Sequence, residues 1–310
     1  MTADIILHNY PASPVAEKVR VALGIKGLDW RSVEIPRIPP KPKVVQLTGG
    51  YRRTPIMQIG ADIYCDSQCI IRELDRRHPE APLQGPEAGL MWSLSRWTDG
   101  AMFDLAVKIV LGSAGENLPA DFAEDRGRLY LGPDWAEGLK AANANLPHLA
   151  AQMRAPLHWI NDLLSGGRPF INGDTPGAID AQHYQVVWFI RGRWDAAPAF
   201  LSEFPALERW EQTIAAIGHG SQTDMDPDAA IELATATAPL AGTGVAAHDP
   251  QGLTVGQAVT VSPDVDGGEQ PTAGTITGAS AETVSILRQD DICGEIGVHF
   301  PRAGYRVEVS

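Results

Sequence analysis

Three dipeptides, Ser13-Pro14, Thr54-Pro55 and Asp66-Ser67, punctuate a βαβ…ββα pattern within residues 1–79. Ser13 followed by Pro14 fixes a helix start: a hydroxyl cap, then a residue whose missing N–H is no loss at the first helical position. Val15, Val19, Ala22 and Leu23 follow as one apolar stripe that runs out near Gly24 or Gly27. The run Ile5-Ile6-Leu7 suits a buried strand, and residues 30–35 alternate as a second one. Residues 36–42 are too proline-rich for a regular helix, so a loop with one irregular helical turn is expected before Gly49-Gly50. Residues 55–59 and 63–65 flank Gly60-Ala61-Asp62 as a hairpin. Asp66 or Ser67 then caps a helix whose inner face carries Ile70, Ile71 and Leu74 and which stops at His78-Pro79.

Residues 79–86 read as a linker by their proline and glycine content. From about residue 89 to 236 the pattern is helical throughout, with periodic segments at 90–111, 139–164, 178–191 and 205–217. Pro147 and Pro156 are expected to bend or split the second segment. Residues 238–252 mark another boundary. From Thr254 onward the character changes: 254–261, 273–276, 283–287, 296–300 and 305–309 are β-branched runs separated by glycine or aspartate turns. They predict a small all-β unit, barrel-like or a rolled sheet, packed against the helical part because it is near the lower size limit for standing alone. The expected division is 1–79, 88–237 and 250–310.

A net charge of −13 argues against nucleic-acid binding, since polyanions would be repelled. No stretch of about 18 apolar residues occurs, so no membrane span is expected. The start MTADIILHNY lacks a basic segment followed by a long apolar one, which points to a cytoplasmic protein. Cys65, Cys69 and Cys293 fit neither a redox pair nor a zinc knuckle and read as small buried hydrophobes. The histidines lack metal-ligand spacing, and the glycines fit neither a Walker motif nor a dinucleotide fingerprint, so no metal is expected.

In this order and spacing the segments resemble the glutathione S-transferase family over residues 4–236. Ser13-Pro-Val-Ala-Glu-Lys-Val-Arg-Val-Ala-Leu looks like the nucleophile-site helix, and Thr54-Pro55 matches the cis-proline signature of the thioredoxin-like fold. Asp66-Ser67 matches the pair that holds the γ-glutamyl end of glutathione. Phe204-Pro-Ala-Leu-Glu-Arg-Trp resembles the family's late helix. Gly173-Asp174 through Asp180 resembles its helix-capping segment, with Asp180 where relatives more often carry Ser or Thr. The implied fold is an α/β thioredoxin-like domain, then an all-α helical domain, with the all-β unit as an addition.

The resemblance implies glutathione as co-substrate and a thiolate that attacks a small apolar or aromatic electrophile. A free thiol of pKa ~8.5 is only slightly ionised near neutral pH. Lowering that pKa by about two units takes roughly 2.7 kcal/mol, which a hydroxyl donor at a helix N-terminus can supply. Ser13 is the candidate donor and Tyr10 the alternative. On local residues alone Ser13 is equally a plain helix cap, Thr54-Pro55 an ordinary strand start, and Asp66-Ser67 a cap. In the glutathione reading, Thr54 and Pro55 pair with the cysteinyl backbone. Asp66 accepts from the α-ammonium, and Ser67 donates to the α-carboxylate. Arg53 is the best placed of four cations (Lys41, Lys43, Arg52 and Arg53) for the glycine carboxylate. Trp97, Tyr184 and Trp188 are candidate walls of an electrophile pocket expected between the domains. Serine at position 13 excludes a mixed disulfide with the protein there. Family members are commonly homodimers, and a homodimer is expected. The rival reading is a non-catalytic binding or scaffold protein that uses the β unit for interaction.

Overall fold

The computed structural model describes residues 4–85, 87–265 and 267–310; Pro86, the end of the expected linker, and the first three residues, part of the start read above for targeting, lie outside these ranges. The chain divides into two compact units. One holds Met1–Val19, Leu28–Arg77 and Ser221–Ser310, and the other Arg20–Gly27 and His78–Gly220.

The first unit begins β1 (Ile6–Asn9), α1 (Pro14–Ile25, its second half counted with the other unit), β2 (Asp29–Glu34), α2 (Pro42–Thr48), β3 (Ile56–Ile59), β4 (Asp62–Cys65) and α3 (Ser67–Arg77). Strand β2 runs parallel to β1, with Leu7 opposite Ser32. Strand β3 is antiparallel to β1, and β4 antiparallel to β3 across the two-residue turn Gly60-Ala61. Every residue of β1, β3 and β4 is buried, the polar His8, Asn9, Gln58 and Asp62 included, so these strands show no alternation of apolar and polar faces. The expected helical turn before Gly49 is a full α2.

The second unit is helical, as expected: α4 (Ala88–Trp97), a π-helical turn (Thr98–Met102), α5 (Phe103–Ala114), α6 (Ala120–Leu131), α7 (Trp135–Ala144), α8 (Leu146–Ser165), α9 (Ala178–Arg191), α10 (Ala197–Leu201) and α11 (Pro205–Ile217). Pro147 opens α8, whereas Pro156 sits buried inside α8 without ending it. Asp180 is fully buried at the start of α9. It accepts from the N–H groups of Ile171 (2.7 Å), Asn172 (3.2 Å) and Gly177 (3.0 Å) and from Trp210 Nε1 (2.8 Å). One carboxylate thus caps α9 and fastens α11 to it.

The chain then returns to the first unit with β5 (Ser221–Asp224), α12 (Pro227–Ala236), β6 (Gly244–Val245), β7 (Ala258–Pro263), β8 (Thr272–Ala279), β9 (Thr283–Asp290), β10 (Gly294–Pro301) and β11 (Tyr305–Val309). Strand β5 corrects the expectation of helix throughout residues 89–236; it pairs in parallel with β2 while all four of its side chains stay exposed. With no buried face it carries no alternation to read.

The C-terminal strands continue the N-terminal sheet. Its order is β11-β7-β8-β9-β10-β4-β3-β1-β2-β5, with β6 beside β8. The joint is the parallel pair β10–β4, Val298 opposite Ile63, so the β unit builds onto the first unit's sheet where packing on the helical part was expected. Only residues 302–304 separate β10 from β11, yet β11 lies beside β7, four places from β10 in sheet order. That geometry requires the sheet to roll, which is the barrel-like character expected of these strands. Ile6, Val33, Ile56 and Ile63 share one core with Ile231 of α12 and with Ile286, Ile296, Val298 and Phe300.

Candidate functional site

The three dipeptides meet at one end of the sheet. His8, Ile56 and Cys65 are register partners across β1, β3 and β4. Beyond that row, β1 leads out to Ser13, Thr54-Pro55 leads in to β3, and β4 leads out to Asp66-Ser67. Helices α1 and α3 therefore begin beside the same loop.

Ser13 is buried, and its Oγ accepts from the Ala16 N–H at 3.2 Å while its carbonyl accepts from Glu17 N at 3.0 Å. It is a helix cap. A hydroxyl that accepts keeps its own hydrogen, so this bond leaves the Ser13 O–H to donate elsewhere. Tyr10, just ahead of it in the chain, is buried too, and its carbonyl accepts from Ser13 N at 3.0 Å. Lys41 Nζ lies 5.9 Å from the centre of the Tyr10 ring and donates to Thr54 Oγ1 at 2.9 Å and to the Arg52 carbonyl at 3.0 Å. The Thr54–Pro55 peptide is cis.

Asp66 adopts φ 72°, in the left-handed region that Asp tolerates better than most residues. Its Oδ1 accepts from the Gln68 N–H at 2.9 Å, with Ser67 Oγ at 3.5 Å. Its Oδ2 accepts from the Tyr305 hydroxyl at 3.1 Å, and Tyr305 stands 3.3 Å from the Tyr51 hydroxyl. Burial first, and then the Asp66 charge, push both phenols well above their ordinary pKa, so each keeps its proton at neutral pH.

Arg53 is held from the same direction. Its Nε donates to the Glu269 carboxylate and its Nη2 to the Val265 carbonyl at 2.5 Å, while Arg52 Nε donates to the Gly267 carbonyl at 2.8 Å. Burial alone would lower the Arg53 pKa, but the bond and charge of Glu269 raise it above the usual value. Gly50 lies against this turn: a Cβ there would stand 2.3 Å from the Gln270 carbonyl oxygen. Tyr51, Glu269 and Tyr305 were not among the sequence candidates. Arg53 and Glu269 are 216 residues apart, and no local spacing could pair them.

The candidate wall residues all belong to the second unit. Tyr184 is buried edge-on to Trp210, their ring centres 6.3 Å apart. Trp97 is partly exposed and leans on Trp159 at 6.2 Å. Trp188 lies under the Arg193 guanidinium, 4.5 Å from the ring centre. Cys65 and Cys69 are buried, and burial raises both thiols above their ordinary value. Among the described residues no group of three or more His, Cys, Asp or Glu could hold a metal ion, and no helix is long and apolar enough to cross a membrane.

Residues 7–82 match the family model for the glutathione S-transferase N-terminal domain. Among solved structures, a GST-like protein from Pseudomonas syringae is 30% identical over 100% of both chains, with a TM-score of 0.82. A tau-class glutathione S-transferase from mango, Mangifera indica, is 18% identical over 70% of this chain and 90% of its own, with a TM-score of 0.51. FzlA from C. crescentus is 21% identical over 68% of this chain and 87% of its own, also at 0.51. These last two likenesses show the fold alone. No curated protein matches.

Proposed function

Because this chain belongs to the glutathione S-transferase family, we propose that it is a glutathione-dependent transferase acting on a small apolar or aromatic electrophile. The observation that carries this reading is the row His8–Ile56–Cys65, which sets Ser13, Thr54-Pro55 and Asp66-Ser67 at one end of one sheet. In this reading Asp66 and Ser67 take the γ-glutamyl end, Thr54 and Pro55 the cysteinyl backbone, and Arg53 the glycine carboxylate. Ser13, with Tyr10 as the alternative, donates to the sulfur. The Ser13 O–H and the N-terminus of α1 favour the thiolate over the thiol. The thiol proton passes to solvent, the sulfur forms a bond to the electrophilic carbon, and the leaving group departs with its electron pair. Trp97, Tyr184 and Trp188 are proposed to contribute to electrophile binding, and the active form is proposed to be a homodimer.

Calorimetry with glutathione and a thiol-transfer assay on an aromatic halide test the proposal. Binding at millimolar concentration or tighter is expected, with at least a tenfold loss of turnover in Ser13→Ala. Absence of binding at millimolar glutathione would overturn it. A second reading, a non-catalytic binding or scaffold protein, draws on a different observation: Tyr305 and Glu269 already engage Asp66 and Arg53. It expects no transfer activity with any aromatic halide.

A further inference from the structure

We propose that the C-terminal β unit is a built-in occupant of the glutathione site, with Tyr305 and Glu269 standing in for the two charged ends of the peptide. The inference rests on the transferase reading above. Glutathione would bring a donor, its α-ammonium, to Asp66 and a carboxylate to Arg53. The chain itself brings a donor, the Tyr305 hydroxyl, to Asp66 at 3.1 Å and a carboxylate, Glu269, to Arg53. The chemistry is matched at both anchors.

The two stand-ins arrive together because of strand pairing. Tyr305 opens β11 opposite Pro263, the last residue of β7, so the turn that carries Glu269 and the start of β11 form one corner of the sheet. That corner is fastened: Arg52 holds the Gly267 carbonyl, Glu269 Oε2 accepts from the Gly267 N–H at 2.9 Å, and the Glu269 side chain is only 3% exposed. Gly50 is the residue that permits the approach, since any side chain there would collide with Gln270.

The exchange is unequal at the two anchors. At Arg53 one carboxylate replaces another. At Asp66 a charged ammonium replaces a neutral phenol, which strengthens the bond. Glutathione therefore competes with a weaker internal partner, and its apparent affinity is reduced by the fraction of molecules in which the corner is closed. The β unit acts as a self-inhibitory contact relieved by the co-substrate.

Calorimetry with glutathione on the full chain, wild type against the Glu269→Gln/Tyr305→Phe double variant, tests this. The double variant is expected to bind at least tenfold more tightly. Equal or weaker binding by a double variant, with wild type still binding, overturns the internal occupant and leaves the transferase reading standing. No binding in either form overturns both. Hydrogen exchange on the unmodified protein gives an independent readout: saturating glutathione should speed exchange of the Gly267 amide at least tenfold. Unchanged exchange with glutathione bound overturns the proposal.

Discussion

His299 Nε2 lies 2.9 Å from Asp62 Oδ1, joining β10 to β4 through side chains as well as through the strand ladder. The ring's other nitrogen meets Ser285 Oγ at 2.8 Å, and Tyr64 stacks on its face with centres 4.6 Å apart. Asp62 Oδ2 accepts from the Leu240 N–H at 3.0 Å. Gly297 makes room for the contact, since a Cβ there would lie 2.6 Å from Asp62 Oδ1.

Asp62→Ala removes the partner of the part-buried His299 ring and of the amide of Leu240, a residue that is itself exposed. A loss of about 1–3 kcal/mol is expected in urea unfolding, from two part-buried hydrogen bonds to one carboxylate. A loss below about 0.5 kcal/mol, the range of ordinary surface substitutions, would show that this contact does not hold the β unit.

Asp180→Ala removes the acceptor for three backbone donors and the Trp210 indole. The helical unit should lose at least about 3 kcal/mol, because hydrogen bonds to a charged group are worth ~1.5–3 kcal/mol each. Urea denaturation followed by far-ultraviolet circular dichroism, which tracks helix loss, measures the change.

His8 and His183 are buried, and burial lowers each pKa to about 4. In the unfolded chain each would titrate near ~6.5, so the unfolded state takes up protons first. Stability is therefore full above that value and falls as pH drops towards 4, by up to about 1.4 kcal/mol per pH unit for each histidine. Denaturation at pH 7 and pH 5 measures the slope. His183→Gln should flatten it, and an unaltered slope would exclude His183 as a contributor.

Ser13 has two separable roles. Ser13→Ala should lose about 1 kcal/mol of stability with the cap, whereas Ser13→Gly, which brings no side-chain donor, should lose only a few tenths of a kcal/mol. If activity tracks the cap alone, Ser13→Gly keeps most of both; if the O–H donor matters, only stability is kept.

The first unit's elements were legible because each boundary carries its own chemistry: Pro14 after a capping Ser13, Gly60 between two apolar runs, Ser67 ahead of Ile70 and Leu74. Strand β5 was not, because Ser221–Asp224 buries nothing. Pro156 lies buried inside α8 without splitting it, while the break expected near Pro147 falls between α7 and α8. The pairing of β10 with β4 was invisible for another reason. Ile63 and Val298 each read as a strand residue, but register between segments so distant is set by tertiary packing, not by local pattern. The same distance hid Tyr305 and Glu269 from Asp66 and Arg53.

The β10–β4 pair also sets an order of events in synthesis. When β4 leaves the ribosome its outer edge has no partner, and His299 of the partner strand follows Asp62 by 237 residues. At roughly 5–20 residues per second, that edge waits on the order of ten seconds or more before β10 exists to cover it. An unpaired strand edge is an invitation to other chains. The last strands thus act late, as a seal on a surface the growing chain must keep from its neighbours.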